Sequence, residues 1–366
     1  MTRRWVPDPG WTGHWELPSL LRHPVTNQQR GGLVALSCAG MGPKRLATSL
    51  ANAERLEDVL GEFVARWQSS LRRLDRAGAR AVVPSDAEYP DELAAIDAPP
   101  PLLFVRGQRL DEIRPRVAIV GARACTTGAA RFAERLGASF AGAGFVVVSG
   151  LARGIDAAAH TGALQTGRTV AVLGTGIDVC YPAEHASLAE RIASDGAIVT
   201  EFPPGVGPRA WHFPSRNRII SGLSMALVIV EAGTNSGALI TAGFALDQGR
   251  EVFACTTGPE NPAGAGVREL LKDGAGLIVD AEQAVEVVMS LLADQDFVFG
   301  TPALSRDRAI DLDGELRRIY DAVTEDCSVD EVAANAGIAS ARVASGLAEL
   351  ELESLVASSN GRWRRS

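Results

Sequence analysis

From residue 116 onward, short apolar runs alternate with helical stretches. The runs cover 117–120, 145–148, 169–173, 197–200, 226–230, 251–255 and 277–279, and each stops at glycine, a hydroxyl residue or a carboxylate. Helical patterns fill the intervals, for example from 127 to 141 and from 156 to 165. Strands that are apolar throughout and alternate with helices are buried strands of a parallel sheet, covered on both faces. The pattern predicts an α/β fold: an extended Rossmann-like, doubly wound parallel sheet of about seven strands over residues 113–293.

The flanks read differently. Residues 1–30 hold three of the six tryptophans without periodicity and suggest a poorly ordered arm. Residues 31–75 suggest a small helical domain of helix-hairpin-helix or SAM-like type, turning at Gly40-Met41-Gly42-Pro43-Lys44. Residues 76–112 form an extended, Pro-rich linker that closes on an apolar edge strand at 102–105. A polar linker follows the sheet at 294–311. In 312–366 a first helix precedes Ser328 and Glu331, a capping box that opens a second. A third helix carries Val343, Leu347 and Leu350, and a hairpin turns at Asn360-Gly361. Three helices and a hairpin predict a winged helix-turn-helix.

Composition narrows the function. The net charge of −8 excludes a general DNA-coating protein, so any polyanion must meet a local patch. Lys44 and Lys272 are the only lysines among 36 basic residues, which fits a GC-rich coding bias. The cysteines Cys38, Cys125, Cys180, Cys255 and Cys327 form no C-x-x-C pair, so neither a disulfide framework nor a zinc ribbon is expected. No apolar run approaches the ~18 residues of a membrane span, and the first residues lack a signal-peptide core. A reducing cytoplasm is the expected location.

In an open parallel sheet, ligands sit at the carboxyl ends of the strands. Here those ends are glycine loops around Gly121 to Gly128, Ser149-Gly150 to Gly154, Gly174 to Gly176 and Gly233 to Gly237. Glycines admit a close backbone approach, and helix N-termini offer free N–H groups to anions. Arg123 stands where a dinucleotide fingerprint needs its second glycine, and no P-loop motif occurs, so no nucleotide cofactor is expected. Between Glu112 and Glu134, and again between Glu201 and Glu231, the chain carries arginines and no acid. The second window holds Trp211-His212-Phe213-Pro214-Ser215-Arg216-Asn217-Arg218. Aromatic residues interleaved with arginines suit single-stranded nucleic acid, whose bases stack on rings while phosphates meet guanidinium groups.

Catalytic candidates are few. Asp156 and His160 lie one helical turn apart and read as a carboxylate at a helix start beside a packed histidine. Asp178 and Glu231 end strands without an evident partner, and Cys255 reads as core. No acidic cluster suggests a metal nuclease, so neither metal nor catalysis is expected. The terminal module carries ten acids and three arginines over residues 312–353, a net −7, which argues against phosphate binding and for a protein contact or a tether.

Five motifs, in order, resemble the DprA/Smf family, the DNA-processing protein A of bacterial transformation. They are Gly121-Ala122-Arg123; Ser149-Gly150 through Asp156 with His160; Gly174-Thr175-Gly176 through Asp178 with Tyr181-Pro182; Phe213 through Arg218; and Glu231-Ala232 with Ser236-Gly237 through Thr241. The resemblance runs from about Leu36 to Asp280. It implies a homodimer that binds single-stranded DNA without sequence preference, loads RecA onto it for recombination, and catalyses nothing. It places DNA contacts at Arg123, Ser149, Gly150, Phe213, Arg216, Asn217, Arg218, Asn235, Ser236 and Gly237, beside the glycine-loop residue Gly121. Lysines common along the family's DNA path are absent, so either Arg153 or Arg209 takes their place or the patch is weaker. Thr256-Thr257-Gly258 replaces the family's usual Pro-Gly turn. The alternative is a Rossmann-like nucleotide phosphoribohydrolase, which needs a carboxylate after its glycine loop; residues 232–246 contain none.

Overall fold

The structure is a computed structural model that describes residues 15–255, 264–293, 314–324, 327–352, 356–359 and 362–365. Two compact units divide at Asp296 and Phe297. Most of the expected arm, the turn at 256–258 and the linker at 294–311 lie largely or wholly outside the described residues.

The first unit opens with four helices: α1 (Asn27–Cys38), α2 (Pro43–Ala51), α3 (Leu56–Leu60) and α4 (Trp67–Arg76). Thr26 and Gln29 form a capping box that starts α1 inside the stretch expected to be an arm. Ahead of it, Trp15 donates its indole N–H to the Pro99 carbonyl at 2.9 Å, and Leu21 is fully buried. The chain is therefore part of the fold from Trp15.

The stretch expected as a linker carries β1 (Ala79–Val82), the short α5 (Asp91–Ala94) and β2 (Leu103–Gly107). The strand at 103–107 is not an edge: β1 pairs antiparallel on one side of it and β6 (Ala197–Thr200) on the other. Its fully buried Phe104 and Val105 explain why it lies inside.

The rest of the sheet follows the expected order: β3 (Arg116–Gly121), α6 (Thr127–Gly142), β4 (Val146–Ser149), α7 (Ile155–Thr166), β5 (Thr169–Val172), α8 (Ala186–Asp195), β6, α9 (His212–Gly222), β7 (Ala226–Val230), α10 (Gly237–Asp247), β8 (Glu251–Cys255), α11 (Ala265–Lys272), β9 (Gly276–Ile278) and α12 (Ala281–Ala293). The strands lie in the order β1-β2-β6-β5-β4-β3-β7-β8-β9, and β6 through β9 are mutually parallel. The chain winds outward from β3 to β6 and then resumes on the other side at β7. That reversal makes the carboxyl ends of β3 and β7 the topological switch point.

Alternate strand residues feed two cores. Val120, Val148, Val172 and Ile229 pack with Ile219, Leu239 and Val267 of α9, α10 and α11. Ala171, Ile198 and Phe104 pack with Leu33, Leu46 and Leu74 of the N-terminal helices, which share a core with the sheet. In the second unit, α13 (Gly314–Ala322), α14 (Val329–Ala336) and α15 (Ser340–Leu352) precede the antiparallel pair β10 (Val356–Ser359) and β11 (Arg362–Arg365), a winged helix. Ser328 and Glu331 cap α14 reciprocally, and Val343, Leu347 and Leu350 fill the small core.

Candidate nucleic-acid interface

The loops after β3, β4, β5 and β7 meet along one edge of the sheet. Gly121 ends β3 where any Cβ would overlap the Val230 carbonyl and the Ile155 side chain, so glycine lets β7 and α7 close on the strand end. Two non-glycine residues here sit in the left-handed region, Leu151 at φ 56° and Glu231 at φ 52°. Such backbone persists where surrounding bonds over-determine it. Glu231 shows those bonds: its buried carboxylate accepts from the Thr126 N–H and hydroxyl at 2.8 and 2.7 Å, fixing the start of α6.

Three consecutive residues of α9 tie the edge together. The Arg216 Nη1 donates to the carbonyl of Gly150, at 2.8 Å, and to that of Val172; its Nε donates to the Asn217 Oδ1 at 3.2 Å. The Asn217 amide reaches the Gly237 carbonyl at 3.2 Å. Arg218, fully buried, donates to both Glu201 oxygens at 2.8 and 2.6 Å and to the Ala98 carbonyl at 2.9 Å, and its guanidinium lies 5.5 Å from the Trp15 ring centre. The carboxylate that holds this helix is thus Glu201, while Glu231, read from the sequence as lacking an evident partner, is taken up by Thr126.

A pocket of about 70 Å³ opens at this edge, lined by Arg123, Gly150, Arg153, Tyr181, Phe213 and Arg216 among others. The Arg216 guanidinium forms its floor, only 3% exposed, with Nη2 making none of the bonds above. Gly150 is required beneath it, because a Cβ would stand 2.5 Å from Nη1. Burial, with help from the neighbouring Arg123 charge, lowers the Arg216 pKa to about 10 against the pull of Asp156; the side chain stays cationic at neutral pH. Phe213 forms a wall, with Tyr181 packed at 5.4 Å and the Arg123 guanidinium 5.4 Å above its ring. Arg153 reaches the rim. Trp211, 55% exposed, rests edge-on against His212, which stacks on Phe202 at 4.0 Å.

The candidate residues therefore fall into two groups. Arg123, Arg153, Phe213, Asn235, Ser236 and Gly237 present surface along the edge, with Ser236 also capping α10. Gly121, Ser149, Gly150, Asn217 and Arg218 are spent on shaping it; the Ser149 hydroxyl donates to the Ile119 carbonyl at 2.6 Å. Arg216 belongs to both. Tyr181 completes the pocket without having been singled out as a contact residue, although the Gly174 loop at the same sheet edge leads to it.

Asp156 accepts from the Gly150 and Ala152 N–H groups at 3.1 and 3.4 Å, and burial raises its pKa against the pull of Arg216. His160 is buried with Nδ1 on the Thr169 hydroxyl at 2.7 Å, and burial pushes its pKa down to about 3. The Thr169 hydroxyl donates to the Val147 carbonyl, so His160 Nδ1 carries the proton. Asp178 is partnered after all, by the Gly205 N–H at 2.6 Å. Cys255 is core, its thiol pushed up to about 12 by burial. Among the described residues no group of three or more His, Cys, Asp or Glu could hold a metal ion, and no helix is long and apolar enough to cross a membrane.

Fold and site together define a doubly wound α/β protein with an arginine- and aromatic-lined groove over the carboxyl ends of β3, β4 and β5. Residues 80–289 match the model of the DNA recombination-mediator protein A family, and residues 303–362 that of the DprA winged helix domain. The chain is 40% identical over 305 residues to protein Smf of Escherichia coli, covering 81% of this chain and 80% of that one. It is 37% identical over 317 residues to protein Smf of Synechocystis, covering 78% and 79%. The solved DNA processing protein A of Streptococcus pneumoniae superposes with a TM-score of 0.58 at 32% identity, over 72% of this chain and 98% of that one. The Helicobacter pylori protein, whose structure concerns a single-stranded DNA binding mode, gives 0.53 at 26% identity, over 58% and 96%. This chain belongs to the DprA/Smf family of DNA-processing recombination mediators.

Proposed function

We propose that the protein binds single-stranded DNA without sequence preference along the strand-end groove and delivers RecA onto it, as a cytoplasmic homodimer that performs no catalysis. The observation that carries the DNA reading is the pocket itself: a buried arginine floor, arginines at the rim and two aromatic walls. Guanidinium groups take phosphates, and rings accept any base face. The Helicobacter pylori relative supports the same choice of ligand. RecA delivery and its use in transformation rest on family membership. The homodimer is supported by the edge strand β9, where, among the described residues, Leu277 and Val279 in and beside it are 49% and 57% exposed.

The test is a titration of single-stranded and duplex oligonucleotides against the parent and Arg123→Ala. Single strands bind at least about ten times tighter than duplex, with affinity falling as salt rises, because bound phosphates release counterions. Arg123→Ala weakens binding by about 1–3 kcal/mol, roughly 5- to 150-fold, and flattens the salt slope by about one contact. A folded Arg123 variant that binds like the parent removes the groove as the DNA site.

Truncation before residue 312 leaves single-strand binding nearly intact, since the acidic terminal module is a separate compact unit. A loss of about tenfold or more on truncation contradicts the charge argument.

A further inference from the structure

Arg153 stands at the pocket rim but is already engaged by a carboxylate. Its Nε and Nη2 donate to the two oxygens of Glu184 at 2.6 and 2.8 Å. A bidentate phosphate would take this same edge of the guanidinium. Glu184 has a fixed place there. It follows the pocket-lining Tyr181 and Pro182 on the turn Ala183–His185, and His185 Nδ1 donates to the Leu151 carbonyl at 2.9 Å. The hydrogen bonds from Arg153 hold its carboxyl below the usual range, so it is charged at neutral pH. Both side chains are more than half exposed, at 58% and 54%. An ion pair that exposed contributes little and exchanges readily. Arg123, by contrast, lies over the Phe213 ring with no carboxylate partner among the described residues.

We propose that Glu184 is a built-in competitor for phosphate: it occupies Arg153 in the unbound protein, is displaced when a nucleic-acid phosphate reaches the pocket, and so sets the affinity and salt response of the groove. This rests on the reading of the groove as a single-stranded DNA site. A lone phosphate must break the pair for one contact, whereas a strand offsets that loss over several. Glu184 thereby favours polymeric over free anions.

The experiment is a fluorescence-anisotropy titration of labelled oligothymidine, at several salt concentrations, with the parent, Glu184→Gln, Arg153→Ala, the double variant and Glu190→Gln. Glu184→Gln binds about two- to fivefold tighter, since it frees Arg153 and removes a local negative charge. Its log–log salt slope steepens by about 0.7, one single-strand phosphate. The gain disappears when Arg153 is alanine. Glu190, whose carboxylate pairs with Arg106 outside the pocket lining, controls for general charge removal, and its variant binds like the parent. Unchanged or weaker binding by Glu184→Gln, a gain that survives without Arg153, or an equal gain from Glu190→Gln overturns the proposal while leaving the DNA reading intact. Absence of single-strand binding by the parent overturns both.

Discussion

Replacing Arg218 by alanine lowers the stability of the larger unit by about 3–5 kcal/mol, the usual cost of leaving one partner of a buried ion pair behind. Both side chains of the Arg218–Glu201 pair are 1% exposed, so the Glu201 carboxylate cannot recover its hydration once the guanidinium is gone. The Ala98 and Ser215 carbonyls lose a donor as well. Denaturant titration of the parent and variant measures the loss. A difference below about 1 kcal/mol, the range of exposed pairs, would falsify the assignment of Arg218 as the buried anchor. The pair joins the end of β6 to α9 and, through Ala98, to the segment before β2. Its loss therefore also weakens single-strand binding, but through misplacement of the groove and not through a lost contact.

Arg216→Ala acts on stability and binding together. The Gly150 and Val172 carbonyls each lose a donor, at about 1–3 kcal/mol for every buried polar group left unsatisfied. Single-strand affinity falls by at least about tenfold as the pocket loses its cationic floor. The stability deficit depends on pH through Asp156. Burial raises the pKa of this carboxyl in the folded protein, so folding carries a cost that is absent below its unfolded pKa and complete above the folded one. Arg216 moderates that cost by favouring the ionised form; its removal raises the folded pKa further. The gap between variant and parent is widest near pH 7 and narrows as pH falls toward about 4, the ordinary Asp range. Denaturation at both pH values, beside a binding titration, checks this. A gap that widens in acid, or lost binding at unchanged stability, contradicts the buried-floor assignment.

The sheet was legible because its signal is local. Seven short apolar runs, each stopped by a turn residue, are the seven parallel strands, and the double winding follows from their alternation with helices. The two antiparallel strands were harder. Prolines around β1 and β2 mimic a linker, and only burial of Phe104 and Val105 between neighbours reveals a sheet interior. The start of α1 carried a readable signal in Thr26 and Gln29, obscured by the tryptophan-rich, aperiodic residues before it.

The site was legible as chemistry and less so as geometry. Arginines in acid-free windows pointed to the sheet edge where the Arg216-floored pocket opens. Spacing alone does not distinguish Arg216, half of whose work is structural, from Arg218, which is buried against Glu201. Both lie on one helix, two residues apart, and only the third dimension separates their partners. Glu184 was hidden for a related reason. A carboxylate outside the arginine windows returns beside Arg153 through the loop after β5, and sequence distance conceals that return.

The triplet Arg216-Asn217-Arg218 has a consequence for local motion. Its side chains fasten the loops after β4 and β6, the end of β5, the start of α10, and the segment before β2 to a single helical turn. Loops held separately would fray separately, each with its own small opening free energy. Fastened to one turn, they open as one cooperative unit, and the least stable of them inherits the protection of the whole. If the groove is the single-strand site proposed above, it offers an arriving strand a single preformed surface, and little ordering entropy is left for binding to supply.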